Sequence, residues 1–315
     1  MNYDNPPRPL QRKLRTRLGV IALCTAAASI TSVSASAQVL RSSDFESGEY
    51  ASYGWIYSGN RPQMASKTKG EPTCTGQFSV KFPLSRSDST SYRTELSMSN
   101  GSAPPIKNLQ WGKSYWMGFA IYLPSDWKPD FKAGDTLLQL HGVPDDGEAY
   151  RTPPLSLKVD GNDLGIVYKW DSRRIMATPD DRNGIQYEGW KSVDLGTTQT
   201  GRWTSIVLHF KATYNADGFM EVWRDGKKIY SQSNVGVGYN DGIGSYIKAG
   251  NYKRPWAWGP TDVSTRLHYM DDFRVGDGAS SYAEVAPQCG SAPAPTPTPT
   301  PAKPSQPTGV KILIK

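Results

Sequence analysis

Apolar and polar residues alternate with a period of two along much of the chain, and no stretch carries a sustained stripe at the 3.6-residue helical period. Residues 114–123 (SYWMGFAIYL) are so rich in aromatic and branched side chains that they predict a strand buried on both faces. Residues 202–211 (RWTSIVLHFK) alternate in part. Asp225-Gly226 separates MEVWR from KKIY, and Asp160-Gly161-Asn162 divides the run 158–170. Both read as hairpins, because Gly and Asx residues accept the positive φ of a tight turn. With 30 Gly and 24 Pro punctuating many short runs, the pattern predicts an all-β fold, a sandwich of two antiparallel sheets.

The two ends of the chain break the pattern. Arg8, Arg12, Lys13, Arg15 and Arg17 precede an apolar run over 18–28, and Ala35-Ser36-Ala37 supplies a small-residue cleavage site. Residues 1–37 therefore read as a signal peptide, and the mature chain from Gln38 is expected to be secreted or periplasmic. Near the other end, APAPTPTPTPAKPSQP makes 291–307 a Pro/Thr-rich linker, followed by a short tail at 308–315. The folded unit is thus expected over 38–290. No apolar run reaches the ~18 residues of a membrane span.

Charge changes the picture once the leader is set aside. The whole chain has a net charge of +7, of which the segment 1–37 carries five Lys/Arg against Asp4, so only +3 stays with the mature chain. That mild excess suits a polyanionic substrate without calling for nucleic acid or a membrane surface. Of the three cysteines Cys24 leaves with the leader. Cys74 and Cys289 remain, an even number in an oxidising compartment, which predicts one disulfide.

Three segments place polar groups where a core would not. In a strand, residues two apart share a face. Leu138 and Leu140 point one way while Gln139 and His141 point the other. Arg93 and Glu95 share a face in 93–96 (RTEL), and Tyr246, Lys248, Gly250 and Tyr252 align in 246–252 (YIKAGNY). Gly250 is expected to leave a gap there for close approach of a ligand. Singly, each reads as a structural histidine, a cross-strand ion pair or a solvated face. Together they supply a carboxylate clamp, a base and an acid.

The set RTEL (93–96), QLH (139–141) and YIKAGNY (246–252), in this order, resembles the jelly-roll polysaccharide lyases: alginate lyases, glucuronan lyases and heparin lyases of the heparinase I type. DFESG (44–48), GFAIYLPSDW (118–127), GFMEVWRDGK (218–227) and DDFRVGD (271–277) extend the resemblance over roughly 44–277 and lean toward the heparin and glucuronan side. The resemblance implies a β-jelly roll and β-elimination on a 4-linked uronic-acid polysaccharide. It implies His141, Tyr252, Lys248, Gln139 and Arg93 as the catalytic set, with Gln139 and Arg93 facing the substrate carboxylate and Lys248 favouring the Tyr252 phenolate. Glu95, Tyr246 and Arg254 are implied as substrate-binding neighbours. Ile247 stands where Phe is frequent. Lys253-Arg254-Pro255 replaces the Asn-Gln usual in alginate lyases, which ranks alginate behind glucuronan-like or heparin-like chains.

In glucuronate or mannuronate H5 and O4 lie on one side of the ring, so Tyr252 alone would serve as base and acid. In iduronate or guluronate they lie on opposite sides, and His141 would be base with Tyr252 as acid. Trp256 and Trp258 are candidates to stack on sugar rings, and Trp170, Arg173 and Arg174 to line a groove, against ordinary packing or a solvated hairpin. Glu46 and Asp272 are candidates for a structural Ca²⁺ by analogy with related jelly rolls; the chemistry itself calls for no cofactor. A monomer acting on an acidic polysaccharide is expected. The three histidines are not spaced as a zinc motif, and no GxSxG elbow, P-loop or dinucleotide fingerprint occurs. The paired carboxylates of an E-x-D-x-x-E glycosidase strand are also missing, which weakens a hydrolase. The competing reading from another class is a non-catalytic carbohydrate-binding sandwich.

Overall fold

The structure, a computed structural model, describes residues 36–87, 91–98, 108–176 and 187–289. The expected leader apart from its last two residues, the linker and the tail lie outside the described residues. In chain order the strands are β1 (Val39–Ser43), β2 (Ile56–Gly59), β3 (Gln63–Ser66), β4 (Phe78–Ser85), β5 (Arg93–Ser97), β6 (Ser114–Leu123), β7 (Asp135–Val143) and β8 (Leu155–Asp160). They continue as β9 (Asp163–Asp171), β10 (Gly189–Thr197), β11 (Arg202–Lys211), β12 (Thr213–Arg224), β13 (Lys227–Tyr239), β14 (Ile243–Tyr252) and β15 (Thr265–Asp277), and one helical turn, α1 (Tyr282–Val285), follows.

The strands form the expected jelly-roll sandwich. One sheet runs β3-β4-β15-β6-β11-β12-β13, with β1 beside β15. The other runs β2-β5-β14-β7-β8-β9, with β10 beside β9. Strand β13 belongs to both: it pairs with β12 along most of its length, and its last residues, Gly238 and Tyr239, run parallel to Trp170 and Asp171 of β9. Gly238 makes that passage possible. Its φ is 150°, and a Cβ there would collide with the Trp111 ring.

Local sequence explains the elements. Asp225 and Gly226 both take positive φ, 48° and 83°, which closes the β12–β13 hairpin, and Gly161 at 58° does the same between β8 and β9. Strand β6 is buried on both faces, as its composition predicts. Met117, Phe119 and Ile121 enter the main core, while Gly118 lies beneath the segment that begins at Val285, the last residue of α1. A Cβ on Gly118 would meet the Val285 carbonyl, so only glycine lets that segment lie flat. Cys289 closes it with a disulfide to Cys74.

The second sheet positions polar groups by burying their neighbours. Leu138 and Leu140 of β7 are 1% and 0% exposed. Burying each contributes about 1.5–3 kcal/mol, and a one-residue slip of register would turn them to solvent, so Gln139 and His141 are fixed on the outer face. Bulges adjust the same alternation. Thr136 pairs with Lys158 and Leu138 with Leu157, leaving Leu137 as an extra buried residue. On β14, Ala249 pairs with Leu138 but Tyr252 with Thr136, so an extra residue intervenes at 250–251.

Candidate active site

The outer face of the second sheet carries a groove of about 850 Å³. Strands β5, β7 and β14 lie side by side beneath it, with register pairs Lys248–Gln139, Tyr246–His141 and Tyr252–Arg93. Four of the five residues expected to be catalytic, Arg93, Gln139, His141 and Tyr252, line this one groove, and Arg254 joins them.

Beneath them lies a buried charge cluster centred on Glu95, which is 1% exposed. Its Oε2 accepts a hydrogen bond from Lys248 Nζ at 2.5 Å, and its Oε1 accepts one from Gln139 Nε2 at 2.5 Å. Arg93 Nη1 is 3.7 Å from the same carboxylate. One carboxylate therefore orients an ammonium, an amide and a guanidinium, and charge-assisted bonds of this kind are the strong ones. Burial pulls the Lys248 pKa down, opposed by Glu95.

This arrangement corrects four expectations. Lys248, 3% exposed, spends its ammonium on Glu95, and the cation at the Tyr252 phenol is Arg93, whose guanidinium lies 4.5 Å above the ring. Glu95 lies too deep to be reached from the groove and supports the groove residues above it. Tyr246 packs its ring 4.9 Å from that of His141 and braces the imidazole. Gly250 opens no gap for a ligand either. At φ 136° it faces inward, and a Cβ would strike the Thr94 carbonyl, the Glu95 backbone and Phe82.

The state of His141 follows from its two contacts. Nδ1 lies 2.8 Å from the Gly142 carbonyl oxygen, which can only accept, so Nδ1 carries the hydrogen. The lone pair is then on Nε2, which accepts from the Tyr150 hydroxyl at 2.8 Å. Burial, reinforced by the charges of Lys248 and Arg93, brings the imidazolium pKa down to about 4. His141 is a neutral base at ordinary pH.

Other candidates fall elsewhere. Trp256 is buried and donates its indole hydrogen to Thr261 Oγ1 at 2.9 Å; the exposed ring at the groove is Trp258, with the Arg254 guanidinium 5.0 Å from its centre. Trp170 belongs to the core, pressed on Gly189 and Gly236 by the close approach of neighbouring strands. Arg173 pairs with Asp171, and Arg174 with Asp145. Glu46 accepts the backbone N–H groups of Gln77 and Phe78, while Asp272 pairs with Arg274 at 2.5 Å and accepts the Gln288 N–H. Both carboxylates are committed to donors, so they do not fit a shared Ca²⁺. Among the described residues no group of three or more His, Cys, Asp or Glu is placed to hold a metal ion.

Three groove residues escaped the sequence reading. Lys158 and Lys169 project from β8 and β9, where alternation with Leu157, Val159 and Tyr168 would have shown their facing. Tyr150 sits in the irregular connection DDGEAYRT, which has no period to read.

A family model described as "Polysaccharide lyase" matches residues 45–274. The chain belongs to that family. The lyase acts on an acidic polysaccharide. Among solved structures it shares its fold with an endo-β-1,4-glucuronan lyase from the fungus Trichoderma reesei, at a TM-score of 0.59 and 21% identity, covering 74% of the lyase and 94% of that chain. Alginate lyase A1-II′, a member of polysaccharide lyase family 7, matches at 0.43 and 16% identity over 63% of the lyase and 79% of that chain. The binding domain of botulinum neurotoxin serotype C1 matches at 0.45 and 13% over 75% and 48%. Curated proteins yield no match to the lyase. Among the described residues no helix is long and apolar enough to cross a membrane.

Proposed function

We propose that the lyase cleaves a 4-linked glucuronate polymer, a glucuronan-like chain, by syn β-elimination in the groove over β5, β7 and β14. The observation that carries this reading is the meeting of a neutral imidazole, a phenol and a guanidinium in one groove (His141, Tyr252 and Arg93). The proton at C5 of a uronate is scarcely acidic until the adjacent carboxylate is neutralised. Arg93, with Gln139 beside it, takes that carboxylate and binds more strongly as charge builds on the enolate-like intermediate. His141, whose charged form burial disfavours, accepts H5. Tyr252 delivers its proton to the leaving O4, and the Arg93 guanidinium over its ring stabilises the phenolate left behind.

This reading replaces the expectation that Tyr252 alone serves a glucuronate: His141 and Tyr252 rise from the same sheet face, so a separate base and acid can work on the one side where H5 and O4 lie. Lys158, Lys169 and Arg254 extend the basic lining along the groove and provide for carboxylates on neighbouring rings, and Trp258 offers a stacking face. The shared fold with a glucuronan lyase and the Lys253-Arg254-Pro255 sequence support glucuronan ahead of alginate. The proposed steps use protein side chains alone. One chain supplies every groove residue, which supports action as a monomer, and the pattern of residues 1–37 together with the Cys74–Cys289 disulfide supports export.

The test is ultraviolet absorbance of the conjugated product on purified glucuronan, heparin-like chains and alginate. Glucuronan should be cut fastest, and His141→Ala and Tyr252→Phe should each lose about 10²–10⁴-fold in rate. Faster cleavage of alginate would overturn the substrate assignment. Polymer binding without any unsaturated product would overturn the catalytic one.

A further inference from the structure

We infer that Tyr150 is a second phenolic catalytic residue, standing between His141 and the substrate and carrying the proton that passes between them. The inference rests on the elimination proposed above and changes how its base reaches C5. A neutral imidazole has a single lone pair, and in His141 that lone pair, on Nε2, already receives the Tyr150 hydroxyl hydrogen at 2.8 Å. The other nitrogen is bound to the Gly142 carbonyl, so the ring cannot present a second acceptor. The atom that faces the groove on the far side of this hydrogen bond is the Tyr150 oxygen. Tyr150 lines the groove and is 53% exposed, unlike the half-buried imidazole behind it.

The residue next to it shows that its position is held. Arg151 is 6% exposed, pairs with both Glu148 and Asp241, and lays its guanidinium 4.3 Å over the Tyr239 ring. The Tyr239 hydroxyl donates to the Thr152 carbonyl at 2.8 Å on the other side. A buried ion network thus grips the residue beside an exposed tyrosine, which contributes little to the core itself. Holding an exposed phenol to this degree has a use if the phenol must meet a substrate atom in a fixed geometry.

The step balances as follows. Burial holds the Tyr150 pKa above its ordinary value, so no free phenolate forms: the Tyr150 O–H bond breaks and its proton passes to Nε2 of His141 in the same movement in which the phenol oxygen takes H5. The C5–H electron pair delocalises into the carboxylate held by Arg93. The C4–O4 bond then breaks with its pair on O4, which takes the Tyr252 proton as C4=C5 forms. Tyr150 ends protonated by H5, and the imidazolium proton returns through water to the Tyr252 phenolate.

Tyr150→Phe separates the two routes, because it keeps the ring and removes only the O–H that covers Nε2. If His141 acts directly, kcat stays the same or rises. If Tyr150 carries the proton, kcat on glucuronan falls on the order of 10²-fold or more with KM near that of the parent enzyme. The double variant Tyr150→Phe/His141→Ala should then be no slower than the worse single one, since the pair acts as a unit. An unchanged kcat in Tyr150→Phe overturns the inference when His141→Ala and Tyr252→Phe are still impaired. Full activity in all three variants would sink the assignment of His141 and Tyr252 to the elimination, and polymer binding without unsaturated product would sink the elimination reading itself.

Discussion

Replacing Glu95 by Leu tests whether the buried cluster is the support on which the groove depends. The substitution leaves the Lys248 ammonium, 3% exposed, without its carboxylate and frees the Gln139 amide. Stranding one member of a buried pair costs about 3–5 kcal/mol, because the charge keeps its desolvation penalty and loses its partner. At about 2–4 °C per kcal/mol for a domain of this size, the thermal midpoint should drop by roughly 6–20 °C at neutral pH. The loss should shrink as pH rises. Burial already lowers the Lys248 pKa, and without Glu95 nothing opposes that shift. Between the depressed folded pKa and the ordinary value of about 10.4, the unfolded chain binds more protons, so stability climbs with pH. The double variant Glu95→Leu/Lys248→Met removes both charges and should recover most of the stability. It should stay inactive, because Arg93 and Gln139 have lost the carboxylate that aims them. Calorimetry and the ultraviolet elimination assay read the two effects separately. A midpoint shift under about 2 °C in Glu95→Leu, or a double variant that regains activity along with stability, would refute the reasoning.

The acid limb of kcat/KM should fall near the His141 pKa of about 4 and not near 6.5; a limb at 6.5 would show that the imidazole is not buried as described. His268, fully buried with Nδ1 on the Asn251 side-chain oxygen at 2.9 Å, is held to a pKa of about 3. Between about pH 6 and 5 both histidines gain protons only on unfolding, which lowers the unfolding free energy as pH falls by up to ~1.4 kcal/mol per unit each, while Asp241 and Asp271, raised to about 7, release theirs on unfolding and oppose it; the pH slope should therefore differ between the parent and His141→Ala, and equal slopes would count against it. Gly250→Ala should destabilise by about 1–3 kcal/mol and displace β5, lowering activity as well as the melting temperature; a neutral outcome would contradict the inward facing of this residue. Cys289→Ser opens a loop with a sequence separation of 215 and should cost about 2–5 kcal/mol, yet leave kcat unchanged because the groove lies on the other sheet.

The strands and the site were legible to different degrees, for physical reasons. Period-two alternation marks β6, β7 and β14 because each buries one row of side chains, and the Asp225-Gly226 hairpin is dictated by a turn that needs two positive φ values. The same alternation brought Arg93, Gln139, His141 and Tyr252 to one surface. It erred where a bulge resets the count, so that Gly250 faces Phe82 instead of the groove. It also gives the facing of a side chain but not its depth. Lys248 and Glu95 point outward from the core and are still covered, whereas Trp170 and Trp256, which look like sugar platforms, fill interior space. Tyr150 was beyond reach because its place depends on Arg151, Glu148 and Asp241 meeting across distant segments.

The segment after α1 lies against β6 on the first sheet, while the groove opens on the second, with the thickness of the sandwich between them. Cargo joined after Cys289, whether a resin handle, a fluorophore or a fused partner, would therefore hang from the back of the molecule. A long polymer could still thread the front unobstructed, which makes the position just after Cys289 the natural point for immobilising the enzyme.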